Sequence, residues 1–309
     1  MCFGGHGLKK IFLIAAHKPT RALQWTVEYL SQFPENTIVI HYDAKSNVEQ
    51  LQLPDRVNIR FIADPIAVQW GHFSQIEASL KLFRYANSLN YDYCFLISGE
   101  CVPACSNQMM DKLLIQNQGK DFVHFQQDKT QMRRLASERI RYRYPSAFFH
   151  RPRSIIDKLL VYSHRYLRHL WFTNHSAKRN LTGLTELYKG TSWVTLTQST
   201  VADMLRFIDN NPALVKSFEA SLCGDEVFFH SVIKALPDTR FVHNPKYQHQ
   251  ALRYLDWQSG PQFPRHLTPS DIGKIRSGTY FFARKVTDDL SENDFEHFVG
   301  LVNDKEEKL

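Results

Sequence analysis

Apolar and polar positions divide this chain into short unbroken runs and longer periodic stretches. The first run, Ile11-Phe12-Leu13-Ile14-Ala15-Ala16, has no polar interruption and ends on His17-Lys18-Pro19, the pattern of a strand buried on both faces. Behind it Leu23, Val27, Tyr29 and Leu30 recur at roughly helical spacing, so strand, loop and helix follow in order. Thr37 to Asp43 reads as a second strand and Val57 to Ile62 as a third. Ser74 to Leu89 presents Ile76, Leu80, Leu82, Phe83 and Ala86 as a helix face, and Tyr93 to Ile97 is a fourth strand ending in Ser98-Gly99-Glu100. Such alternation predicts an α/β fold with a mostly parallel central sheet flanked by helices.

Residues 119 to 180 break this rhythm. One run, Phe122-Val123-His124-Phe125, reads as a further strand and is followed by an arginine-rich stretch. Within that stretch Ile155, Ile156, Leu159, Leu160, Leu167, Leu170 and Trp171 fall near one helical face, with Lys158, Arg165 and Arg168 mainly off it. The pattern predicts a basic amphipathic helix over 151–171. Two readings stay open: a surface helix packed on the core, or one docked on an anionic membrane or glycolipid. From Leu187 the alternation returns, with Val194-Thr195-Leu196 as a strand, a helix from Thr197 to about Asn210, and another from Asp225 to Ala235. Without repeats or a linker, the chain reads as one continuous domain of three stretches, 1–118, 119–180 and 181–309.

Composition narrows the picture. With 309 residues, 43% of them hydrophobic, the chain can bury a full core, and only the tail around Lys305-Glu306-Glu307-Lys308 reads as trailing off. A formal charge of +7 favours anionic partners without choosing among nucleic acid, lipid and phosphates. The five cysteines lack paired metal-ligand spacing and read as reduced thiols. No apolar run approaches the roughly 20 residues needed to span a bilayer. A cytoplasmic protein is expected, with peripheral contact at the inner membrane face through the basic helix.

The residues able to do chemistry come late. Asp225-Glu226 enters an apolar run, and Glu226 is the candidate general base for a hydroxyl, whose high pKa demands a carboxylate within hydrogen-bond reach. Acidic residues also favour helix starts for electrostatic reasons alone. Arg253 and Lys285 are candidates to neutralise a departing diphosphate, although surface cations are common. His17 and Asp43 follow strands, where open α/β sheets bind ligands and loops are also simply wet. Trp193 and Trp257 suit stacking on a sugar ring or packing in a core. No Asp-x-Asp triplet occurs, which gives basic side chains more of the counter-charge to supply. A nucleic-acid-binding reading draws on Tyr142 and Tyr144 among the arginines but leaves Asp225-Glu226, Arg253 and Lys285 unexplained.

Taken in order, several blocks resemble the core-2/I-branching β-1,6-N-acetylglucosaminyltransferases (glycosyltransferase family 14), in their bacterial form. They are Ala16-His17-Lys18, His41 to Ser46, Val68 to Ser74, Tyr93 to Gly99 with Pro103, Gly190-Thr191-Ser192-Trp193, Gly224-Asp225-Glu226, Arg253 to Trp257 and Phe282-Ala283-Arg284-Lys285. The resemblance covers about 11–290. It implies a GT-A-like α/β fold and an inverting, metal-independent transfer of GlcNAc or xylose from a UDP-sugar, with no further cofactor. The acceptor would be a glycan or glycolipid such as lipopolysaccharide or capsule, and nucleic acid is not a partner. Glu226 would be the base, Arg253 and Lys285 would bind the donor diphosphate, and His17 and Asp43 the nucleotide. Arg139, Arg141, Trp193 and Trp257 would face the acceptor, and no residue would bind a metal. The chain departs from the pattern at Cys101, where many bacterial members have Asp two positions after the Ser-Gly, so that any role of that Asp is absent or moved to Glu100, and at Gly224, where Pro is common. A different donor or linkage on the same fold is the alternative.

Overall fold

In the computed structural model, which describes residues 7–300 apart from 127, 151–153, 182–183, 185 and 261–262, the apolar runs become the middle layer of the molecule. The strands are β1 (Lys10–Ala16), β2 (Asn36–Tyr42), β3 (Ile59–Phe61), β4 (Tyr93–Ser98), β5 (Val102–Pro103), β6 (Thr195–Thr197), β7 (Arg253–Leu255) and β8 (Phe282–Arg284). A sheet ordered β3-β2-β1-β4-β6 is parallel except for β6, which runs antiparallel to β4. A smaller sheet, β5-β8-β7, lies against it. Thus β6, from the middle third of the chain, joins the first sheet, and β5, from the first third, joins the second.

The helices are α1 (Arg21–Ser31), α2 (Ser74–Asn87), α3 (Asn107–Gln116), α4 (Lys129–Arg141), α5 (Ile155–Trp171), α6 (His175–Asn180), α7 (Gln198–Asn210), α8 (Pro212–Phe218), α9 (Asp225–Ala235), α10 (Ile272–Arg276) and α11 (Glu292–Val299). Pleating sends Phe12, Ile14, Phe95 and Ile97 into a core shared with α1, α3 and the small sheet. Ile11, Leu13, Cys94 and Leu96 enter a second core under α2, α7 and α9. Both faces are covered, which is why β1 and β4 read as unbroken apolar runs. Thr20, Ser106 and Thr197 start α1, α3 and α7 by accepting the Leu23, Met109 and Thr200 N–H groups.

Three expectations change. The run from Val57 to Ile62 supplies only the three residues of β3, an edge strand paired with Ile38 to Ile40 alone. Phe122 to Phe125 forms no strand, because its neighbours come from separate segments: Asp121 bridges to Phe241, Phe122 to Thr195 and Phe125 to Gly190. The basic helix forms as α5, with residues 151–153 outside the described ones. It does not pack by its aliphatic stripe: Ile155, Ile156, Leu159, Leu170 and Trp171 are exposed, and the buried side chain is His164. Cys2 and the tail from 301 to 309 also lie outside the described residues, and the other four cysteines are free. No helix among the described residues is long and apolar enough to cross a membrane.

Candidate active site

Register brings the first cluster together. Ala16 pairs with Tyr42 and Ala15 with Ser98, so β1, β2 and β4 end at one edge. There His17, Asp43 and Glu100 emerge, where the strand order turns back on either side of β1. Asp43 is buried, donates its N–H to Ala16 O (2.8 Å) and accepts the Lys45 N–H at Oδ1 (2.8 Å). His17 reaches solvent, yet desolvation by its surroundings pulls its pKa below the ordinary value; Glu100 and Asp43 oppose that pull, and Lys18 and Lys285 add to it.

Strand β8 delivers two cations to this edge. Lys285 Nζ lies 3.0 Å from Glu100 Oε1 and Arg284 Nη2 lies 3.4 Å from Oε2. Arg284 Nε also donates to Ser98 Oγ (3.0 Å), and its guanidinium sits 4.9 Å above the half-buried Trp193 ring. Glu100 is thus the anion these cations hold in the free protein.

The second cluster grows from the start of α9. Cys223, at φ 49, donates its N–H to Gly71 O (2.6 Å) and turns the chain so that Asp225 and Glu226 occupy the first helical turn. Asp225 is buried and accepts the Ser192 hydroxyl at 2.6 Å; burial raises its pKa despite that bond. Glu226 is half-buried. Lys189 Nζ lies 2.9 Å from its Oε2 without hydrogen-bond alignment, and Arg139, from α4, lies 3.7 Å from the same oxygen. Gly190 holds the turn by donating to Glu226 O (3.0 Å). Of Arg139 and Arg141, the structure brings only Arg139 to Glu226. Arg141 is exposed, its guanidinium 5.7 Å from the Tyr142 ring.

Residues 190–193 join the clusters. Ser192 binds Asp225 on one side, and the adjacent Trp193 carries Arg284 on the other. Thr191, between Gly190 and Ser192, has its Oγ1 3.3 Å from His249 Nε2. His249 stacks on His124, ring centroids 4.0 Å apart, and both line a cavity of about 300 Å³ with Arg253 and Trp257. Trp257 is exposed there; Trp193 is largely packed against the core.

Arg253 is far deeper than a surface cation. Only 2% exposed, it donates through Nη1 to Ala251 O (2.7 Å) and through Nη2 to Val194 O (3.1 Å) and Thr195 Oγ1 (3.0 Å). Its guanidinium lies 5.2 Å from the Phe282 ring, and no carboxylate pairs with it among the described residues. Desolvation lowers its pKa to about 10. From β7 it thus reaches the Val194 carbonyl and the Thr195 hydroxyl at the start of β6, while Lys285 is only half-buried beside Glu100.

Lys189, Ser192, Glu100 and Arg284 were not singled out as site residues by sequence reasoning. The signal for three of them was adjacency to Gly190, Trp193 and Lys285 in the resembling blocks. Among the described residues no three His, Cys, Asp or Glu side chains gather as a metal site. A cavity of about 660 Å³ beside Phe125, Tyr188 and Phe241 is lined by none of these candidate site residues. Tyr142 and Tyr144, the two aromatics among the arginines, are both engaged within the fold: Tyr142 is buried and hydrogen-bonded to His169 (2.8 Å), and the Tyr144 hydroxyl donates to Glu138 O.

Cations thus stand at the strand ends of an α/β sheet, and a carboxylate stands at the start of α9, with Ser192-Trp193 between the two clusters. The chain belongs to the Core-2/I-branching enzyme family, whose model matches residues 11–276, and it is thereby a member of a glycosyltransferase family. No curated protein matches it. Among solved structures it is similar to the crystal structure of mannose-1-phosphate geranyltransferase from Thermus thermophilus, with 10% identity over 75% of this chain and 69% of that one and a TM-score of 0.32. So loose a superposition says nothing of donor or acceptor.

Proposed function

We propose that the protein is an inverting glycosyltransferase that moves N-acetylglucosamine or xylose from a UDP-sugar to a hydroxyl of a surface glycan, such as lipopolysaccharide or capsule, without a divalent metal. In one displacement the acceptor oxygen forms a bond to the anomeric carbon as its proton passes to Glu226. The bond from that carbon to the UDP oxygen breaks on the opposite side. The growing negative charge on the diphosphate meets Lys285 and Arg284, which exchange Glu100 for the donor, and the buried charge of Arg253 adds to theirs. His17 and Asp43 face the nucleotide at the ends of β1 and β2. Arg139 and Trp257 face the acceptor, and Trp193 holds Arg284.

One observation supports this reading most: Glu226 and the Arg284-Lys285 pair are joined through the single stretch Ser192-Trp193, by a 2.6 Å hydrogen bond to Asp225 at one end and a 4.9 Å ring contact at the other. The test is UDP release from UDP-GlcNAc, UDP-xylose, UDP-Gal and UDP-Glc with EDTA present, comparing wild type with Glu226→Gln. Release from one donor should survive EDTA and fall by about 10²- to 10⁴-fold in the variant. A strict need for divalent metal, or a fully active Glu226→Gln, would overturn the mechanism.

A further inference from the structure

We propose that α5 docks the protein on an anionic lipid bilayer, lying in the plane of the interface. Placed at 100° per residue, Ile155, Leu159, Tyr166 and Leu170 share an arc of about 60°, with Tyr162 and Ile156 on its margins. All six are exposed, Ile155 by 77%, Leu159 by 61% and Leu170 by 75%. The opposite face already has its partners: His164 is buried against the rings of Tyr144 and Phe148, centroids 4.7 Å away in each case, and Phe172 at 5.1 Å. The helix therefore does not need its aliphatic stripe to hold to the body.

Charge selects the occupant. Lys158, Arg165 and His169 border one side of the apolar arc, and Arg168 lies 4.9 Å from the Tyr142 ring. The only acidic residue in the helix, Asp157, serves the capping box with Ser154 at the helix start. An apolar stripe bordered on one side by cations and carrying Tyr162 and Tyr166 matches the hydrocarbon, headgroup and phosphate layers of an anionic leaflet. At 17 residues the helix is about 25 Å long, suited to lying along the surface. It is tied to the site, because Tyr142, which follows α4, bonds His169 of α5, and Arg139 of α4 reaches Glu226. Docking would thus bring Glu226 to glycans carried on membrane lipid. That last step rests on the proposed function; the docking does not.

The test is co-sedimentation of the full chain with phosphatidylcholine vesicles, with and without phosphatidylglycerol, at low and high salt. Wild type should bind only the vesicles containing phosphatidylglycerol and come off in salt. Lys158→Glu with Arg165→Glu should weaken that binding by about 25-fold or more, at roughly fivefold per cation. Leu159→Glu with Leu170→Glu should weaken it by at least about tenfold. Both positions are exposed, so circular dichroism should be unchanged, and so should UDP release without lipid. The proposal fails if wild type ignores phosphatidylglycerol or if either variant binds as wild type does. It also fails if wild type is a dimer that Leu159→Glu with Leu170→Glu dissociates without lipid, which would make a second copy the occupant. An active Glu226→Gln would leave the docking standing and remove only the proposed chemistry.

Discussion

Replacing Arg253 by methionine separates a structural role from a diphosphate-binding one, because the two predict opposite balances. The folded pKa of about 10, well below arginine's ordinary value, means that burying this charge costs about 3 kcal/mol, a cost present at every pH below about 10. Methionine removes that cost and keeps most of the side-chain length. Against this gain stand the abandoned acceptors. Val194 O keeps the Leu96 N–H as a donor (2.9 Å), and the Thr195 hydroxyl can rotate, so Ala251 O suffers most. One orphaned carbonyl and two weakened contacts amount to about 2 to 4 kcal/mol. The terms nearly cancel, and Arg253→Met should unfold in urea within about 1 kcal/mol of wild type. If the buried charge serves the donor, UDP affinity measured by calorimetry should fall by at least about tenfold, near 1.4 kcal/mol, in the same variant. A loss of more than about 3 kcal/mol in stability with UDP affinity unchanged would refute the reasoning and make Arg253 a strut alone.

Two further outcomes follow from the packing around α9. Alanine at Gly190 would drive its Cβ into His124 O and the His230 ring, so Gly190→Ala should lose about 3 kcal/mol or more in urea unfolding and lose UDP release with it; a stable, active variant would contradict the geometry. Burial lowers the pKa of His230 to about 3 and of His249 well below 6.5, so the unfolded chain takes up protons that the folded one refuses, and stability present above about pH 6.5 is lost as pH falls. From pH 7 to 5 His230 removes about 2 kcal/mol and His249 acts in the same direction, while Asp121, raised to about 6 by burial, returns about 1. His230→Leu should flatten the decline by about 2 kcal/mol, and equal pH slopes in the two proteins would count against the assignment.

The large sheet was legible because its strands are buried on both faces. Ile11 to Ala16 and Tyr93 to Ile97 need no context to be read as strands, since no other short element tolerates so few polar positions. α9 was legible at both ends, and α7 to within a residue: acidic residues open the first, and Thr197 caps the second. The small sheet was not legible, because β5, β7 and β8 hold two or three residues each and exist only as partners for one another. Phe122 to Phe125 shows the converse, an apolar run without a single neighbour along which to form a ladder.

The two halves of the candidate site differ for the same reason. His17, Asp43 and Glu100 follow strands whose order the pattern already gives, so their meeting needs only the parallel register. Glu226 could be picked from its dipeptide, but Lys189 and Arg139 reach it from a loop and a helix that tertiary packing alone brings together. Depth was hidden too: a cation in a motif looks the same whether it is part-exposed, as Lys285 is, or fully buried, as Arg253 is. In α5 the periodicity marks an apolar stripe but not its direction. A helix turns its aliphatic side inward only when nothing else fills that place. Here the rings of Tyr144, Phe148 and Phe172 around His164 fill it, and the aliphatic side is left to meet something outside the chain.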